Sequence, residues 1–287
     1  MTDKKLIFYS DLDGTILDFQ NYSFAKSADA LKKIKENNIP LVMSTAKTKA
    51  EIDPTRKKLF TSGLINDHPF IIEGGSAAYI AKGYFDFDIK EIVKNYPIDE
   101  EKNYYIIQIS KAKYGILVKI LKDIGKQINA KIIGFSDFSA KELSKDSGLT
   151  IEQAELSKNR KFDEPFRIEP DDPKLYNKVA QLIRKKGLNY TRGGRYAHIA
   201  DNHDKGLTVK ILNKLYKRQF GQIKSIGIGD SENDFEFLEI CDEGYLVKNP
   251  KLKMKFDLKS EKIIKINQIG PVGFAHVIAK TTRGYQN

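Results

Sequence analysis

The chain repeats one pattern: a short apolar run that stops at small or acidic residues, followed by a stretch with helical spacing. Residues 6–9 run Leu-Ile-Phe-Tyr and stop at Ser10-Asp11, with Gly14 allowing a turn. Along 27–36, Ala28, Leu31 and Ile34 share one side among lysines, which is helix spacing. Pro40 punctuates the chain, and Leu41-Val42-Met43 makes a second strand. Phe70-Ile71-Ile72 predicts a third, ending in Glu73-Gly74-Gly75. Residues 225–229 predict a fourth, ending in Asp230, and Tyr245-Leu246-Val247 a fifth. Strands that are apolar throughout are buried on both faces, and their alternation with helices predicts an α/β fold with a doubly wound parallel sheet.

Between residues 83 and 200 the texture changes. Residues 104–109, 131–135 and 166–168 read as strands, with a helix over 112–128 between the first two. Asp171-Asp172-Pro173 opens another helix, with acidic residues and proline in its first turn. Residues 189–200 read as a hairpin turning at Gly193-Gly194. The expected organisation is a core from 1–82 and 201–287, with residues 83–200 as an inserted α+β domain.

Composition narrows the class. A chain of 287 residues, 40% hydrophobic and 30% charged, is globular rather than disordered. No apolar run reaches the ~20 residues of a membrane helix, and the first residues lack a signal-peptide core, so a cytoplasmic protein is expected. The single cysteine, Cys241, excludes an internal disulfide and a multi-cysteine zinc site, and reads as a small buried hydrophobe. The net charge of +11 is spread from Lys4 to Arg283, as on a solvated surface rather than a nucleic-acid stripe. Arg192-Gly193-Gly194-Arg195 is a single copy at a hairpin turn, His198 and His203 are read as structural, and Gly227-Ile228-Gly229 has no third glycine for a dinucleotide fingerprint.

The chemistry concentrates at strand ends. In Asp11-Leu12-Asp13-Gly14-Thr15 the two aspartates, two residues apart, project to one side of an extended chain. Asp and Gly also form ordinary solvated turns, so this segment alone leaves both readings open. A second cluster, Gly229-Asp230-Ser231-Glu232-Asn233-Asp234, follows another apolar strand. In one sheet, Asp11, Asp13 and Asp230 would converge where open α/β sheets bind ligands. Such carboxylates repel one another unless a cation sits among them, and a hard ion such as Mg²⁺ fits, completed by water and phosphate oxygens. Thr45, ending the second strand, offers a hydroxyl and a backbone N–H, and Lys205 a positive charge.

Asp11-Leu12-Asp13-Gly14-Thr15, Thr45, Lys205 and Gly229-Asp230-Ser231-Glu232-Asn233-Asp234 resemble, in chain order, the four motifs of the haloacid dehalogenase (HAD) phosphatase superfamily. The long gap before Lys205 resembles the class with a large α/β cap inserted there. The resemblance implies that Asp11 attacks phosphorus to form an aspartyl-phosphate, with Asp13 as acid and then base. It implies Mg²⁺ held by the side chains of Asp11 and Asp230 and the carbonyl of Asp13. Thr45 and Lys205 would hold phosphoryl oxygens, and Asn233 and Asp234 would support the site. The cap would close over the substrate.

A closer likeness runs along most of the chain. Asn21-Tyr22-Ser23-Phe24, residues 45–52, residues 159–166, Gly194-Arg195-Tyr196 and Asn202-His203-Asp204-Lys205-Gly206 resemble the mannosyl-3-phosphoglycerate phosphatase family. That implies hydrolysis of mannosyl-3-phosphoglycerate in the synthesis of a compatible solute, with Lys47, Arg160 and Glu164 touching the substrate. Two segments depart from the family: Thr45-Ala46-Lys47-Thr48 stands where Ser-Ser-Lys-Thr is usual, and Glu73-Gly74-Gly75-Ser76 where Glu-Asn-Gly-Gly is usual. The second change removes an amide side chain and bears on the choice of sugar. Phosphatases of glucosyl-3-phosphoglycerate, sucrose phosphate or simpler sugar phosphates, and a phosphomutase on the same fold, are the alternatives. The expected partner is a small phosphorylated glycosyl-glycerate, not a nucleic acid or a membrane; oligomeric state has no signature in the chain.

Overall fold

The computed structural model describes residues 4–193, 195–201, 204–250 and 262–285; Gly194, Asn202 and His203 lie outside the described residues. It begins with β1 (Lys5–Asp11), α1 (Ala28–Glu36), β2 (Leu41–Ser44), α2 (Lys49–Thr61), β3 (Phe70–Ile72), β4 (Ala77–Ala81), β5 (Ile98–Glu100) and β6 (Tyr104–Gln108). Next come α3 (Tyr114–Ile128), β7 (Lys131–Gly134), α4 (Ala140–Ser147), α5 (Ile151–Ser157), β8 (Asp163–Glu169), α6 (Pro173–Lys185), β9 (Asn189–Gly193) and β10 (Tyr196–Ala200). The chain continues through α7 (Lys205–Phe220), β11 (Ile223–Gly229), α8 (Phe235–Ile240), β12 (Glu243–Lys248), β13 (Ile263–Ile269) and α9 (Gly270–Thr281). Among the described residues, no helix is long and apolar enough to cross a membrane.

The chain divides into two compact units: residues 1–46, 55–109 and 204–287 form the first, and residues 47–54 and 110–203 the second. In the first, nine strands form one sheet in the order β13-β12-β11-β1-β2-β3-β4-β6-β5. β13 through β3 run parallel, and β4, β6 and β5 extend the sheet antiparallel. β1 is buried from Leu6 to Asp11, as its uninterrupted apolar run requires of a central strand. It lies between β2, which follows it in sequence, and β11, which comes much later. The strand order therefore reverses at β1, the position where doubly wound sheets open a crevice at the carboxyl ends of their strands. On one face, Val209, Leu212, Leu215 and Tyr216 of α7 pack with Ile7, Tyr9, Val42 and Ile71.

The second unit carries a separate antiparallel sheet, β7-β8-β10-β9. α3 and α6 cover it, burying Leu117, Leu121, Ile124, Val179 and Ile183 against Phe166, Ile168, Ala197 and Ile199. Asp172 caps α6 by accepting from the Lys174 N–H at 2.8 Å, and Pro173 follows at the first helical position, as the sequence led one to expect.

The expected insert of 83–200 needs correction at its start. Residues 104–108 are β6, which pairs with β4 and β5 in the large sheet, so the insert begins at Ser110. Its far boundary falls after residue 203 rather than 200, and residues 47–54 group with it as well. That last segment ends at Pro54 inside α2, where proline has no N–H to give the helix.

Candidate active site

Five parallel strands deliver their ends to one rim. β1 ends in Asp11, β2 is followed by Thr45, β3 by Glu73, β11 by Asp230 and β12 by Asn249. Asp11, Asp230 and Asp234 are all buried, and each offers a carboxylate oxygen within 4.8 Å of the others. Lys205 reaches the cluster from the first residue of α7, whose start Asp204 caps by accepting from the Leu207 N–H at 2.7 Å. The lysine is 1% exposed, and its ammonium donates to Asp11 Oδ1 at 2.8 Å, Asp234 Oδ1 at 2.6 Å and the Ser44 carbonyl at 3.3 Å.

Asp234 uses both carboxylate oxygens. Oδ1 accepts from Lys205, and Oδ2 from the backbone N–H groups of Asp230 at 3.0 Å and Ser231 at 3.2 Å. It therefore ties the α7 lysine to the loop that carries Asp230. Asn233, expected beside it, is exposed and accepts from the Ser231 hydroxyl. Asp13 is partly exposed, in a turn bridged to Leu17.

Three carboxylates face one ammonium here, and the electrostatics record the imbalance. Burial, reinforced by Asp234 and Asp230, pushes Asp11 well above the carboxylate range despite Lys205. Burial and Asp234 push Asp230 up to about 7, against hydrogen bonds from Asn249 and Ser231. Burial works against the Lys205 ammonium, but Asp11 and Asp234 outweigh it and raise its pKa. A buried acidic cluster short of positive charge suits a divalent cation with oxygen ligands. Asp11 and Asp230 are the better placed ligands, since both oxygens of Asp234 already serve donors.

Thr45 is buried, and its backbone N–H donates to the Ile71 carbonyl at 3.0 Å. That corrects the expectation that this N–H would serve a ligand: the neighbouring strand uses it. The Thr45 carbonyl accepts from Gly74 at 3.0 Å. Gly74 belongs to a turn in which Glu73, Gly74 and Gly75 all have positive φ, 43°, 67° and 100°. A Cβ on Gly75 would lie 2.4 Å from the Asp204 carbonyl and 2.6 Å from the Lys205 nitrogen. The same turn thus packs against the start of α7, where the Thr208 hydroxyl donates to the Gly75 carbonyl at 2.6 Å.

The remaining expected residues lie in the second unit. Arg160 is partly exposed, but its side chain is largely enclosed, paired with Asp163 and 3.9 Å from Glu51. Asp163 also meets His198, whose Nδ1 lies 2.7 Å from Oδ2. Glu164 is fully enclosed, accepting from the Tyr114 hydroxyl at 2.6 Å and from the Ser136 N–H and hydroxyl at 2.9 and 2.6 Å. Enclosure corrects its assignment as a substrate contact, because a carboxylate between β8 and the 134–137 segment meets no solvent. Lys47 is partly exposed. Arg192 pairs with Asp171 at 3.0 Å and lies over the Tyr176 ring, and Cys241 is buried with its thiol pKa raised by burial.

Sequence reasoning missed Asn249, which is buried and donates from Nδ2 to Asp230 Oδ2 at 2.6 Å. The available signal was its place just past the fifth apolar strand, at the carboxyl end that the other site residues share.

The family model for haloacid dehalogenase-like hydrolases matches residues 8–270. A glucosyl-3-phosphoglycerate/mannosyl-3-phosphoglycerate phosphatase of Methanococcoides burtonii is 39% identical over 274 residues, spanning 96% of this chain and 96% of the relative. The mannosyl-3-phosphoglycerate phosphatase of Pyrococcus horikoshii is 32% identical over 259 residues, 89% of this chain and 96% of that one. Among solved structures, the sucrose-phosphatase of Synechocystis, in complex with sucrose and phosphate, shares the fold with a TM-score of 0.60 at 14% identity, covering 97% of this chain and 98% of that one. A haloacid dehalogenase-like hydrolase of Bacteroides thetaiotaomicron gives 0.62 at 17% identity, covering 97% and 100%. With the motifs in order, the reversal of strand order at β1 and this match over most of its length, the chain belongs to the haloacid dehalogenase-like hydrolase family.

Proposed function

We propose that this hydrolase is a Mg²⁺-dependent phosphatase that releases phosphate from glucosyl- or mannosyl-3-phosphoglycerate through an aspartyl-phosphate. The observation that carries the chemistry is Asp11 at a buried strand end, bonded to Lys205 and grouped with Asp230 and Asp234. The substrate class comes from the relatives, which include phosphatases named for both sugars, and mannosyl-3-phosphoglycerate is the preferred substrate we propose.

Asp11 attacks phosphorus and must be ionised to do so, whereas burial among like charges favours its protonated form. Lys205 offsets part of that cost, and with the Thr45 hydroxyl it holds the transferring phosphoryl oxygens. Asp13, partly exposed in its turn, protonates the leaving alkoxide and then takes a proton from the attacking water. The side chains of Asp11 and Asp230 and the carbonyl of Asp13 would hold Mg²⁺. When bound, the ion supplies the missing positive charge to the cluster and to the phosphoryl oxygens. Asp234 and Asn233 support the Asp230 loop. Lys47 is assigned to the substrate; Arg160 is held by Asp163, and Glu164 holds the 134–137 segment.

The test is phosphate release, with Mg²⁺, from both glycosyl-3-phosphoglycerates beside sucrose phosphate, mannose phosphates and 3-phosphoglycerate. Clear preference for either glycosyl-glycerate supports the reading. Activity confined to simple sugar phosphates would retain the chemistry and overturn the substrate class, and formation of an isomerised sugar phosphate would make the protein a mutase.

A further inference from the structure

We propose that Asn249 is a positioning residue for Asp230: its amide fixes one carboxylate oxygen and so sets how the carboxylate meets a divalent cation. The inference rests on the metal reading above. Asn249 follows β12, is 7% exposed, and donates from Nδ2 to Asp230 Oδ2 at 2.6 Å. The same oxygen lies against Gly14 of the first loop, where an added Cβ would stand 2.5 Å from it. Gly14 has φ +79°, so glycine is required there on both counts. Oδ2 thus accepts from an amide and fills the space that a side chain at position 14 would take. Rotating the carboxylate would break the Asn249 contact, so the amide, with Ser231 as a further donor, sets how Asp230 presents its oxygens to the Asp11–Asp234 cluster.

The choice of an amide is chemically apt. A lysine here would neutralise the charge that attracts the ion, and an aspartate would add a fourth carboxylate to the cluster. An amide donates without changing the charge. Loss of such an orienting partner typically weakens metal affinity by about 10–100-fold.

The experiment titrates Mg²⁺ into the metal-free full chain by calorimetry, for the wild type, Asn249→Ala and Asn249→Ser. Serine keeps a small polar group but is too short to reach Asp230, and serves if the alanine variant does not fold. The Mg²⁺ concentration for half-maximal phosphate release and the melting of each metal-free protein are measured alongside. The expected result is a Kd and a half-activation concentration raised together by about 10-fold or more, with metal-free melting close to wild type. Lower melting with unchanged Mg²⁺ affinity would reduce Asn249 to a packing residue and overturn the proposal. A wild-type chain that binds no Mg²⁺ would overturn the metal reading itself, and this proposal with it.

Discussion

Asp11 and Asp163 are about equally buried, at 7% and 5% exposure, yet their surroundings push them in opposite directions. Burial favours the neutral form of both. Around Asp163, the guanidinium of Arg160 and the ring of His198 outweigh burial and hold the carboxyl below its usual range. Around Asp11, the single ammonium of Lys205 is shared with Asp234, and Asp230 and Asp234 add like charge, so the pKa rises. A buried carboxylate whose partners balance it is a strut. One left short of positive charge is poised for a cation and an anionic substrate, and that difference marks the site more clearly than burial does.

The largest effect expected is on turnover. Asp11→Asn should lower phosphate release by about 10⁴-fold or more, as loss of a covalent nucleophile does, while circular dichroism stays native. Lys205→Ala strips the cluster of its ammonium and leaves Asp11 and Asp234 facing each other. Chemical denaturation should show a loss of about 3–5 kcal/mol, together with greatly reduced activity. Asp163→Asn breaks the balanced pair instead. A loss of about 3 kcal/mol is expected in the same experiment, but the Mg²⁺ titration should not move. A shifted titration would erase the distinction between the two aspartates.

Metal linkage sharpens the contrast. At a hundred times its Kd, Mg²⁺ should stabilise the wild type by about 2.7 kcal/mol in thermal melts. Asp163→Asn should keep that increment and Asp230→Asn should lose it.

The smallest effect isolates burial. His68, sharing a hydrogen bond of 2.9 Å with the Tyr84 hydroxyl, has its pKa lowered to about 4, chiefly by burial. Its folded pKa lies below the unfolded value, so between about pH 6.5 and 4 the unfolded chain binds a proton that the folded chain does not. Stability should therefore fall as pH falls through that window, by about 1–2 kcal/mol after allowance for partial exposure. His68→Gln should flatten the decline; an unchanged slope would assign it to other groups.

The parallel core was legible in the sequence because central strands leave a local mark: 6–9, 41–43, 70–72, 225–229 and 245–247 all proved to be strands of the large sheet. What local pattern does not encode is which sheet a strand joins. Residues 104–108 read as a strand, yet only pairing with β4, a non-local event, places them in the core. Asp11, Asp230 and Lys205 were found because charged residues at strand ends and a helix start stand out, Asp234 through the family resemblance, and the fold brings the four together. Asn249 was missed because asparagine before proline reads as a turn. Glu164 was misread because its enclosure depends on Tyr114 and Ser136, distant in sequence.

The central claim is that Asp11 takes the phosphoryl group within a cation-dependent carboxylate cluster. The direct test is a rapid acid quench of the enzyme during turnover of mannosyl- or glucosyl-3-phosphoglycerate, followed by mass spectrometry of its peptides. The account predicts a phosphate adduct on the peptide containing Asp11, absent when Mg²⁺ is withheld and absent from Asp11→Asn. Full turnover by Asp11→Asn, with no adduct on that peptide in the wild type, would contradict it.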